Sequence, residues 1–222
     1  IFSGDEVKFF PTEQSTVLND FRNNLSLNQN QLFFLNTYGS LYSINMNTLK
    51  TNWYFNFNQS LDINPSNLFN SNPVIHNDSF TVVTSNDFIY VIDFRSGSVI
   101  FKKNISSNIK PIITNKYIFL ITKNNFLILI NLENGKILYS QDISENIYNF
   151  TKKKVKDLKI QSFFLANNDI YIILRNSLKV KMSIDGKVID VEELKTKINT
   201  DPILINGSIL YIDKKNKLSV VD

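Results

Sequence analysis

The stretch Pro111-Ile112-Ile113-Thr114-Asn115-Lys116-Tyr117-Ile118-Phe119-Leu120-Ile121-Thr122-Lys123-Asn124-Asn125-Phe126-Leu127-Ile128-Leu129-Ile130-Asn131-Leu132-Glu133-Asn134-Gly135 decides the fold. It carries an opening proline, two continuous apolar runs and a closing glycine, and Asn-rich turns separate them. Pro111 and Gly135 are 24 residues apart, and so are Pro73 and Gly97. The opening recurs as Asn72-Pro73-Val74-Ile75, Lys110-Pro111-Ile112-Ile113 and Asp201-Pro202-Ile203-Leu204. The same ruler joins Ser162 to Gly186 and Leu25 to Leu49, copies that keep the length while losing the proline or the glycine. A fixed period of this kind marks a supersecondary unit that buries its apolar face only by stacking on a neighbour.

The copy from Pro111 divides into Ile112 to Thr114, Tyr117 to Thr122, Phe126 to Leu132 and Lys136 to Ile143, with turns at Asn115-Lys116, Asn124-Asn125 and Asn134-Gly135. Asn and Gly tolerate the positive φ that tight hairpins require. Short unalternated runs of Ile, Leu, Val and Phe predict strands covered on both faces, since a helix needs more length. The other units follow: Phe80 to Thr84, Ile89 to Phe94 and Val99 to Ile105; Leu32 to Leu35, Leu41 to Asn45 and Asn52 to Phe57. In the copy from Ser162, Ile170 to Leu174 is apolar, whereas Leu178-Lys179-Val180-Lys181-Met182 alternates and predicts one solvent-facing side. Four residues after the glycine position stands an aromatic, Trp53, Phe101 or Tyr139, with Asp190 the exception. Such a ring on an outer strand can wedge between adjacent sheets. The prediction is an all-β chain, a β-propeller of four-stranded antiparallel blades. About five blades are visible, near residues 25–58, 72–106, 110–144, 160–194 and 201–222, after an N-terminal segment 1–24. The fifth lacks its outer arm. Either the chain is incomplete, the favoured reading, or Val7 to Phe10 supplies that strand as a clasp.

The 222 residues are 43% hydrophobic and 13% aromatic, which excludes a largely disordered protein, and the continuous repeat favours one domain. The formal charge of +4 comes from thinly spread basic residues apart from Lys152-Lys153-Lys154, so nucleic acid is not expected as a partner. Cysteine is absent, which removes disulfides, thiolate nucleophiles and Cys-based metal sites. The chain starts at Ile1 with no basic-then-apolar leader, which fits a targeting segment that lies upstream or has been removed. The longest purely apolar runs, Tyr117 to Ile121 and Phe126 to Ile130, fall far short of the ~20 residues a membrane-spanning helix needs. Asn is so abundant that single asparagines carry little weight as signals.

Phe88-Ile89-Tyr90-Val91-Ile92-Asp93-Phe94-Arg95-Ser96-Gly97-Ser98-Val99-Ile100-Phe101 and Phe126 to Tyr139 resemble the quinoprotein, or PQQ-like, propeller repeat. Leu41 to Trp53 matches as well, with Leu49 in place of the glycine. The resemblance implies two fates. Quinoprotein dehydrogenases hold PQQ with calcium, adjacent cysteines, a catalytic Asp and a stacking Trp; BamB-like members carry no cofactor and serve as scaffolds in outer-membrane protein assembly. With no cysteine, one tryptophan used by the repeat and no carboxylate cluster of calcium-loop spacing, the chain reads as the second kind. That implies a non-catalytic protein-interaction scaffold of the bacterial envelope, periplasmic and outer-membrane associated. A lipid on an upstream cysteine would tether it, and inter-blade loops would meet another envelope protein. A PQQ-dependent dehydrogenase fragment and a lumenal stress-sensor domain are the alternatives.

The search for chemistry adds no catalytic, cofactor or metal residue. His76 is the single histidine and has no second histidine or cysteine to complete a triad or zinc site. Asp5-Glu6, Asp185 with Asp190, and Glu192-Glu193 read as solvated turns and loop ends rather than acid and base pairs. Gly97, Gly135 and Gly186 read as turns, not as a phosphate loop. Two connections remain as surfaces: Lys152 to Lys159, a solvated charge run or a dock for an acidic partner or anionic lipid, and Gln59 to Ser71, with Leu61, Ile63, Leu68 and Phe69.

Overall fold

Unalternated β-branched and aromatic runs five or six residues long have enough apolar surface to be covered on both faces, and they form the middle strands of the sheets spanning residues 75–103 and 112–142. The computed structural model describes residues 8–9, 24–36, 38–57, 75–85, 87–105, 107, 109–154, 158–205 and 207–221. The clasp expected at Val7 to Phe10 and the apolar connection from Gln59 to Ser71 lie outside the described elements. The described strands form five antiparallel sheets, four of four strands and one of three, each a simple meander.

The chain divides into two compact units, Ile1–Asn104 and Ile105–Asp222. The first holds β1 (Asn24–Asn28), β2 (Gln31–Leu35), β3 (Ser40–Asn45) and β4 (Lys50–Asn56), followed by β5 (Ile75–His76), β6 (Phe80–Thr84), β7 (Ile89–Asp93) and β8 (Val99–Lys103). Its core joins Phe33, Leu35 and Leu41 of one sheet to Val83, Tyr90, Ile92 and Phe94 of the other.

The second unit opens with β9 (Ile112–Ile113), β10 (Tyr117–Ile121), β11 (Phe126–Asn131) and β12 (Ile137–Asp142). After α1 (Ile143–Thr151) come β13 (Ile160–Ala166), β14 (Asp169–Leu174), β15 (Leu178–Ser183) and β16 (Val188–Glu193). The three-stranded sheet is β17 (Ile203–Ile205), β18 (Ser208–Ile212) and β19 (Leu218–Val221). Pro111 and Pro202 stand immediately before β9 and β17, where no ladder hydrogen bond is forfeited. On β15, Val180 and Met182 are buried, while Lys179 and Lys181 project to the other face and reach Glu192 and Asp169. That face carries partly exposed ion pairs.

The helix departs from expectation, because Ile143 had read as the end of a strand. Asp142 ends β12 and caps α1, its carboxylate accepting from the amides of Ser144 and Glu145. Ile143 and Ile147, one helical turn apart, are both fully buried in the core formed with Phe119, Leu127, Phe163 and Ile172. Lys152 terminates the helix at φ 57°, its amide bonded to the Tyr148 carbonyl.

The turn before each outer strand is the repeat's most regular part. Asn45, Asp93 and Asn131 each accept hydrogen bonds from the amides two and three residues on, at 2.7–3.2 Å. Gly97, Gly135 and Gly186 follow at φ 74°, 69° and 87°, and Leu49 takes the same left-handed region at 50°. A register shift interrupts each of these hairpins, between Ser43 and Ile44, Val91 and Ile92, Leu129 and Ile130, and Lys181 and Met182.

Candidate functional site

The outer-strand rings dock on the turn glycine of the following sheet inside each unit. A Cβ placed on Gly97 would meet Trp53 Cδ2 at 2.6 Å, and Trp53 Nε1 donates to the Phe94 carbonyl at 3.1 Å. In the second unit Tyr139 donates its hydroxyl to the Ile184 carbonyl at 2.7 Å, and a Cβ on Gly186 would meet Gln141 Cγ at 2.7 Å. Burial, with the Asp185 carboxylate nearby, pushes the Tyr139 phenol up to about 12, so it stays a donor at neutral pH. The expected wedge therefore exists and explains Trp53 and Tyr139 as blade fasteners rather than cofactor platforms.

The residues singled out in the sequence are dispersed. His76 lies on β5 with its ring 5.4 Å from Phe33 and 6.1 Å from Phe94, so it flanks the core instead of forming a turn. Asp185 takes hydrogen bonds from the Ser183 hydroxyl and, at 3.0 Å, from the Lys187 ammonium, which together hold its carboxyl below the usual range. Asp190 accepts from the Val191 amide, and Glu192 pairs with Lys179. Asp5 and Glu6 lie outside the described residues. Lys152, Lys153 and Lys154 are exposed at the end of α1.

A cleft of about 510 Å³ opens within the second unit, where the β10–β11 turn, the start of β13, the end of β14 and the approach to β17 converge. Asn125, at φ 62°, closes the turn and donates its side-chain amide to the Leu158 carbonyl at 3.2 Å, which ties the two blades together. Arg175 donates its backbone amide to the Lys159 carbonyl at 2.8 Å, continuing the β13–β14 ladder by one step. Gln161 sits at the register shift of β13 and donates to Asp201. Among the described residues, Lys123, Lys159 and Arg175 line the cleft with one carboxylate, Asp201, and with the apolar Ile109, Leu158 and Ile160. Sequence reading reached this site only at Lys159, the end of the basic run Lys152 to Lys159, and missed Lys123 and Arg175, which stand just after the second strand of two successive blades.

Repeated four-stranded sheets, left-handed turn residues and rings docked on the next blade's turn define the class as a β-propeller fold of four-stranded antiparallel blades. Residues 58–141 match the family model described as outer membrane protein assembly factor BamB. No curated protein sequence matches the chain. Among solved structures it is similar to BamB from Moraxella catarrhalis, with TM-score 0.52 and 10% identity, covering 88% of this chain and 68% of that one. It is also similar to quinohemoprotein alcohol dehydrogenase from Comamonas testosteroni, with TM-score 0.63, 11% identity and coverage of 90% and 41%. The corresponding enzyme from Pseudomonas putida gives TM-score 0.66, 11% identity and coverage of 92% and 41%. The chain thus spans less than half the length of either dehydrogenase. At these identities the likeness establishes the fold, which scaffold and enzyme share.

The donor set for a quinone with calcium was tested against the residues present. Calcium seeks a cage of carboxylate and carbonyl oxygens, whereas the described residues of the cleft present three cations and a single carboxylate. No group of three or more His, Cys, Asp or Glu among the described residues could hold a metal ion. These residues do not fit that group. No helix among the described residues is long and apolar enough to cross a membrane.

Proposed function

We propose that this chain is a non-catalytic interaction scaffold of the bacterial envelope, assisting outer-membrane β-barrel protein assembly as a BamB-like protein. The observation that supports this reading is the match of residues 58–141 to a family model described as outer membrane protein assembly factor BamB. In this reading residues 25–222 are propeller blades, residues 1–24 are an N-terminal segment, and the protein sits in the periplasm against the outer membrane through a lipid anchor upstream. Photo-crosslinking of the tagged chain in native envelopes is expected to capture a component of the β-barrel assembly machinery. Recovery of no such component overturns the reading.

The dehydrogenase reading is kept because both dehydrogenase structures give the higher TM-scores. Thermal melting with PQQ and calcium separates the two. Ligand at ~100 times its dissociation constant would stabilise by about 2.7 kcal/mol, a rise of several degrees. The scaffold reading expects no shift.

A further inference from the structure

We propose that the cleft between the third and fourth sheets binds an extended acidic segment of a partner protein, an inference that names the partner chemistry of the scaffold reading and rests on it. Lys159 and Arg175 carry the argument. They continue the β13–β14 register from the Ile160–Leu174 pair, so they stand directly opposite each other and line one cleft. Like charges placed directly opposite on neighbouring strands destabilise a sheet. Elsewhere in the same sheet cations are matched: Lys179 pairs with Glu192, and Lys181 with Asp169 at 2.9 Å. Neither Lys159 nor Arg175 forms an ion pair among the described residues. Lys123 brings a third positive charge from the neighbouring blade, and the one lining carboxylate among the described residues, Asp201, is engaged by Gln161.

The geometry selects a carboxylate-bearing peptide over other anions. The Arg175 fork and two ammonium groups suit several separated carboxylates, and the lining residues Ile109, Leu158 and Ile160 offer apolar contact to the alternate side chains of an extended strand. A single-stranded nucleic acid would want aromatic stacking platforms, and the described lining residues include none. The Asn125 clip to Leu158 keeps the two walls at fixed spacing without a ligand, which lowers the ordering cost of binding.

The test is fluorescence anisotropy of the whole chain with a dye-labelled peptide of alternating Glu and Val, beside a Lys and Val counterpart and a single-stranded DNA oligomer. The Glu peptide is expected to bind and to weaken as salt is raised to about 0.3 M. Lys159→Glu combined with Arg175→Glu should weaken it by about tenfold or more, with the melting temperature little changed because one like-charge pair replaces another. Lys159→Gln with Arg175→Gln repeats the test should the charge reversal disturb folding. Lys152→Glu, Lys153→Glu and Lys154→Glu together, outside the cleft, should leave affinity within about twofold. Equal loss in that triple variant, equal binding of the Lys peptide, or tighter binding of DNA overturns the proposal. If an assembly component crosslinks equally to the wild type and the cleft variant, the scaffold reading stands and the cleft falls. If the Glu peptide binds in the cleft but no such component crosslinks, the cleft stands and the scaffold reading falls.

Discussion

At the scale of the residue, the fasteners between blades make sharp demands. Gly97 has φ 74° and a Trp53 ring atom 2.6 Å from where a Cβ would be, whereas Gly207 has φ 88° and nothing within 4 Å. Gly97→Ala therefore combines left-handed strain with a clash and should cost about 2–4 kcal/mol. Gly207→Ala carries the strain alone, about 1 kcal/mol. Urea unfolding of both variants checks the order, and equal losses would show that the Trp53 contact is slack. Tyr139 gives a pH signature. Its folded-state phenol is raised to about 12 by burial and Asp185, above the ordinary 10.0. The native state therefore holds this proton more tightly than the unfolded chain does. The contribution is complete below pH 10 and is lost as pH rises toward 12. Tyr139→Phe should be less stable by about 1 kcal/mol at pH 8, and the gap to wild type should narrow between pH 10 and pH 12. A gap independent of pH would remove the titration from the account. The Thr81 hydroxyl on β6 is buried with no partner among the described residues. Thr81→Val should stabilise by about 1 kcal/mol in the same assay, because an unmet hydrogen bond is replaced by a methyl group.

At the scale of the element, what the sequence revealed depended on whether a signal survived the composition. The 24-residue ruler placed Leu49 where glycine was expected, and the backbone there is left-handed at φ 50°, so spacing identified a turn that residue type concealed. The middle strands were legible because Tyr117 to Ile121 and Phe126 to Ile130 admit no amphipathic helix. Helix α1 was not. Ile143 and Ile147 also suit an alternating strand, and the decisive cap, Asp142, was one polar residue in a chain full of them. Asp142→Ala should cost about 1 kcal/mol and speed amide exchange through α1; unchanged exchange would mean that core packing alone holds the helix. The turn asparagines Asn45 and Asn131 were discounted as background, although both organise their turns. The cleft was legible only at Lys159, in the flagged basic run. Lys123 and Arg175 are far from it in sequence, and only the stacking of two blades, with a register shift at Gln161, brings the three to one opening.

At the scale of the whole molecule, burial follows strand position within each sheet, and local stability should follow burial. The middle strands β6, β7, β10 and β11 are buried along nearly their whole length, while the outer strands β4, β8 and β12 contain no buried residue. The last strand, β19, leaves Leu218 and Val220 at 68% and 58% exposure on a sheet of three strands. Opening a middle strand uncovers two apolar faces and breaks two ladders, whereas opening an edge strand breaks one ladder and exposes side chains already in contact with water. Native-state hydrogen exchange should therefore give the slowest amides in β10 and β11, with intermediate rates in β12 and the fastest strand amides in β19. In the first unit the same order should hold from β6 and β7 to β8. Exchange at a single common rate across each sheet would mean that the blade opens as one cooperative piece, and burial by strand would then have no bearing on its stability.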